Sequence, residues 1–63
     1  MKTLNAGGLI VYVEKLYMRV YNHDCESLPE SGEYRFNNED EVFDFICKFK
    51  YYSEMLLNLY LMQ

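Results

Sequence analysis

The sequence predicts an α+β domain in which a short antiparallel β-ribbon packs on one long C-terminal helix. Three observations lead there. Strand-forming residues crowd positions 9–21. From Val42 onward, apolar residues recur at spacings of three and four. No Gly or Pro follows Gly32, so nothing local breaks a helix in the second half. A length of 63 residues is that of one small domain, residues 1–63. The apolar fraction of 51% and aromatic fraction of 17% exclude a disordered tail. The same length argues against an enzyme. A chain of about 60 residues buries only about 60% of its unfolded surface, which leaves little for a deep, dry cleft.

Taken in order, Gly7-Gly8 reads as a flexible start. Residues 9–22 carry two patterns. Leu9, Val13, Leu16 and Val20 have helical spacing, which keeps an all-α helical hairpin as the alternative fold. Ile10, Val11, Tyr12, Val13, Tyr17, Val20 and Tyr21 are strand formers, and they favour the ribbon. The stretch from His23 to Gly32 holds the chain's one proline and reads as a loop. Glu33 to Phe36 then supplies the antiparallel partner strand, with Tyr34 and Phe36 on one face and Glu33 and Arg35 on the other. A two-stranded ribbon is marginal alone, so it must pack on the helix.

That helix has a recognisable start. Asn38 and Glu41 stand at N-cap and N3 spacing, the pattern of a capping box. Glu39, Asp40 and Glu41 fill the first turn, where negative charge complements the helix dipole. Val42, Phe45, Phe49, Tyr52, Leu56 and Leu59 form one continuous stripe. Near the end, Met55, Leu57, Tyr60, Leu61 and Met62 make the helix apolar all round, more than a ribbon can cover. Self-association through Phe49, Tyr52, Leu56, Leu59 and Tyr60, as in a homodimer, is the expected remedy.

Charge is segregated. The formal net charge is −4, yet the stretch Asp24 to Asp44 holds eight acids against one base, Arg35, a net of −7. Such a field repels nucleic acid and anionic lipid and attracts a basic protein surface. No direct nucleic-acid binding is therefore expected, although Tyr12, Lys15, Tyr17, Arg19 and Tyr21 interleave aromatics with bases. Cys25 and Cys47 read as free thiols of a reducing compartment. No signal h-region and no apolar run of membrane-spanning length is present, so a soluble, cytoplasmic protein is expected.

Chemistry-bearing motifs are sparse. His23-Asp24-Cys25-Glu26 puts four potential ligands in a row, but zinc needs four ligands gathered from at least two segments, and only Cys47 lies elsewhere. The same His and Cys lack an orienting third group for nucleophilic catalysis. No phosphate-binding glycine loop occurs, and no cofactor or metal is expected. The acids have a sharper reading. Asp40 and Asp44 stand one turn apart, an axial rise of about 6 Å. With Glu41 beside them and Asp24, Glu26, Glu30 and Glu33 extending the row, they mimic phosphates for a groove of Lys and Arg. Tyr34 is the expected aromatic anchor.

The segment Gly32-Glu33-Tyr34-Arg35-Phe36-Asn37-Asn38-Glu39-Asp40-Glu41-Val42-Phe43 resembles small phage-encoded inhibitors of host defence, the anti-CRISPR proteins among them, over roughly residues 30–50. The resemblance implies a non-enzymatic inhibitor. Its partner would be a larger basic protein or nucleoprotein effector, such as a CRISPR nuclease complex inside the host cell. The alternative expectation is a small structural or regulatory interaction module that self-associates through its C-terminal helix.

Overall fold

Gly7 adopts a φ of +62°, a conformation open to glycine at little cost, and closes a two-residue turn. The turn joins β1 (Lys2–Ala6) to β2 (Leu9–Val13), with Ala6 opposite Leu9. Gly7-Gly8 is thus the tip of a hairpin rather than a loose start. The computed structural model describes residues 2–23 and 25–63. A second tight turn leads into β3 (Tyr17–Asn22), where Glu14 N–H donates to the Tyr17 carbonyl at 2.9 Å. β4 (Gly32–Arg35) returns after the long loop. The four strands form one antiparallel sheet in sequence order. The α+β class holds, and the expected ribbon is the β3–β4 half of a larger sheet, with Met18 opposite Tyr34 and Arg19 opposite Glu33.

Alternation sorts the strand residues onto two faces. Leu4, Leu9, Val11, Val13, Met18 and Val20 point inward and are buried. Thr3, Tyr12, Tyr17, Arg19, Tyr21 and Glu33 take the outer face by the same alternation.

The inner face is covered by α1 (Glu39–Cys47) and α2 (Ser53–Leu61), joined through a 3-10 turn at Lys50–Tyr52. This corrects the expectation of one continuous helix. The break lies at Lys50, whose φ of +54° is left-handed. It is prepared by tightened i→i−3 bonds from Lys48 to Phe45 and from Phe49 to Ile46, each 3.0 Å. The cause is dimensional. An unbroken helix from Glu39 to Leu61 would run about 35 Å, whereas five-residue strands span about 17 Å. Folding back lets both halves bury apolar residues on the same short sheet. Val42, Phe45, Ile46 and Phe49 enter the core from one side of the break, and Leu56 and Tyr60 from the other. Phe49, fully buried, sits at the corner. Phe43 meets Tyr60 edge to face, ring centroids 5.7 Å apart, which brings α1 against α2. Gln63 closes the end of the chain by donating from its side chain to the Val13 carbonyl.

Candidate interaction surface

The start of α1 is built as its sequence indicates. The Asn38 side chain accepts from Glu41 N–H at 3.1 Å. The Glu41 carboxylate reaches back and accepts from Asn37 N–H at 2.9 Å. The Glu41 bond falls on the residue before the N-cap rather than on Asn38 itself; the two bonds together fix the first turn and commit Glu41 to the cap. Asp40 and Asp44 are exposed on the outward side of the helix. Among the described residues, the ion pairs are Arg19 with Glu33 and Arg35 with Glu33, and neither Asp40 nor Asp44 takes part in one.

Among the described residues, the remaining acids do not continue that row. Glu33 lies on the outer sheet face, opposite the helices, because Tyr34 next to it faces inward. There Arg19 donates to its carboxylate. This hydrogen bond, reinforced by the Arg19 charge, holds the Glu33 carboxyl below the usual carboxylate range. Arg35 approaches the same carboxylate at 3.7 Å and stacks over Tyr17, 5.0 Å from the ring centroid. Glu33 is therefore locally neutralised and leaves the proposed surface. Glu26 and Glu30 are exposed on the loop between β3 and β4. That loop rests near Lys48 and Lys50, which with Ser27, Leu28 and Pro29 line a shallow depression. These two acids thus occupy the opposite end of α1 from Asp40. Asp24 lies outside the described residues.

Tyr34 is spent internally. Its ring packs on Phe45 with centroids 4.4 Å apart, and its hydroxyl donates to the Glu30 carbonyl at 2.6 Å. It is a structural pin between β4 and the loop. The loop itself is organised by Asn22, a residue with no signal of its own in the sequence. Its side chain accepts from Cys25 N–H at 2.9 Å and donates to the carbonyls of Cys25 and Pro29 at 2.8 and 2.9 Å. Its backbone N–H donates to the Ser31 hydroxyl at 2.7 Å.

The residues expected to mediate self-association divide as well. Phe49, Leu56 and Tyr60 are buried in the chain's own core, because the helix break turns them toward the sheet. Burial pushes the Tyr60 phenol above its ordinary value, and the nearby Glu39 charge adds to this. Tyr52 and Leu59 are half-buried against the same core. In the helical half of the chain the large apolar groups left outside are Tyr51, Met55, Leu61 and Met62; Leu16 and Tyr21 are exposed at the sheet. Leu61 and Met62 fall outside the stripe of three-and-four spacing, but so do Ile46 and Tyr60, which are buried, so the stripe alone does not mark the exposed pair.

Cys25 is half-buried in the loop and Cys47 is exposed on α1, both as free thiols. Among the described residues no three His, Cys, Asp or Glu side chains gather as a metal site. No helix among them is long and apolar enough to cross a membrane. Comparison with protein-family models, with curated proteins and with solved structures gives no match.

Proposed function

We propose that the chain is a non-enzymatic inhibitor that occupies a basic, nucleic-acid-binding surface of a larger effector. A CRISPR-type nuclease complex is the kind of effector meant. One observation carries this reading: Asp40 and Asp44 stand exposed, one turn apart, on a helix held from below by a packed core and from its end by a cap. Carboxylates fixed on such a support lose little side-chain freedom on binding Lys or Arg, so charge-assisted pairing is favoured. Glu33 plays no part, and Glu41 serves the cap.

The test begins with capture of the effector from host lysate by immobilised wild-type protein and its identification by mass spectrometry. The purified effector's nucleic-acid binding is then measured with the wild type and with D40K/D44K. Displacement of nucleic acid by the wild type but not by the double variant is expected. An effector that keeps its nucleic acid while bound, or a double variant that displaces it equally well, contradicts the proposal.

A second reading has its own observation. Leu61 and Met62 are 62% and 68% exposed, as an interaction module acting through α2 without charge mimicry would require. It predicts association that is insensitive to salt, measured by sedimentation at low and high ionic strength.

A further inference from the structure

The outward side of the helical layer is concave. A groove of about 450 Å³ runs between α1 and α2, with Phe43, Ile46 and Cys47 on one wall and Leu57 and Leu61 on the other. Its floor is apolar, and Leu61 at its end is mostly exposed. Its rim is acidic. Glu54 lines it from α2. On α1, successive residues turn by about 100°, which sets Asp40 about 20° and Asp44 about 60° outside Cys47, and Glu39 about 40° from Phe43 at the upper end. Glu41 falls on the far flank, consistent with its bond to Asn37. Among the described residues no Lys or Arg lines the groove; Lys48 and Lys50 line the depression under the loop instead.

We propose that this groove receives a basic amphipathic helix of the partner protein. An apolar trough between two helices is the shape that a third helix fills, with anchors at i, i+3, i+4 and i+7. The acidic rim decides which helix: Lys and Arg flanking the anchors meet Glu39, Asp40, Asp44 and Glu54. Charge also argues against a second copy in this place. Each chain carries −4, and pairing through the groove would set like rims against each other. The proposal rests on the acidic-face reading of the partner's charge, and it names the element of the partner that is recognised.

The probe is a synthetic Leu/Lys amphipathic peptide of about four turns, ~14 residues, labelled with a fluorophore. Its Leu/Glu counterpart is the control. Binding is read by fluorescence anisotropy at two salt concentrations, and the contact surface by backbone amide chemical shifts. The Leu/Lys peptide is expected to bind and to shift amides of residues 43–47 and 53–61, while the Leu/Glu peptide does not bind. Leu61→Ser, at an exposed position that the fold does not need, is expected to weaken binding about tenfold at both salts. D40K/D44K is expected to weaken it and to remove its salt dependence.

Failure of the Leu/Lys peptide to bind overturns the proposal. So do shifts confined to the sheet, wild-type affinity in Leu61→Ser, or a dimer that closes the groove at the concentrations used. Loss of binding in D40K/D44K with Leu61→Ser unaffected overturns the groove and leaves the acidic face standing. Peptide binding as described, with no displacement of nucleic acid from the effector, does the reverse.

Discussion

At the scale of single residues, identical side chains serve different ends according to what their neighbours supply. Glu33, Glu41 and Asp44 all belong to one acidic run. Glu33 meets Arg19 across two strands, 14 residues away in sequence. Glu41 accepts from the Asn37 backbone N–H just before a helix start. Asp44 points to solvent. The cap was legible because its two members sit three residues apart and interact locally. The Glu33 pairing was not, because it depends on the register of β3 against β4. This pairing has a pH signature. The folded-state pKa of Glu33 is depressed, so its contribution to stability is present above the unfolded value, about 4.3, and is lost as pH falls through the folded one. Glu33→Gln should therefore lower stability slightly near neutrality and flatten its acid limb, so that variant and wild type converge at low pH, as measured by urea unfolding. An unaltered acid limb would show that the pair contributes nothing.

At the scale of elements, the β3–β4 pairing and the start of α1 follow from local pattern, and two features do not. β1 carries only Leu4 as a large buried residue, so no periodicity announces it. It exists because β2 supplies hydrogen-bond partners along its length and α2 packs against it. The helix break is equally silent, since its corner residue is a lysine rather than a glycine. What enforces it is the mismatch between a long apolar stripe and a short sheet. A left-handed lysine costs about 1 kcal/mol or more relative to a relaxed backbone. Lys50→Gly should relieve that cost and raise the melting temperature by a few degrees, as expected for about 1 kcal/mol in a domain of this size. A fall in melting temperature would mean that the lysine side chain, rather than the left-handed backbone, sets the corner.

At the scale of the whole molecule, the sheet separates two surfaces of different character. Its outer face joins tyrosines to Arg19, Arg35 and Glu33 in a nearly balanced set of charges. The helical layer carries Glu39, Asp40, Asp44 and Glu54, none of them in an ion pair among the described residues, together with the exposed Tyr51, Met55, Leu61 and Met62. A segregated charge distribution was readable from composition along the chain, but its division into three places was not, because that requires knowing which strand face and which helix end each acid occupies. The claim that follows is spatial: binding depends on where the carboxylates stand and not on the total of −4. The most direct test compares two variants with the same charge change, D40K/D44K on α1 and E26K/E30K on the loop. Each carries the chain to neutrality. With dissociation constants for the captured effector measured side by side, D40K/D44K should lose binding by at least about tenfold and E26K/E30K should retain it. Equal losses in the two variants, or a loss confined to the loop variant, would contradict the account.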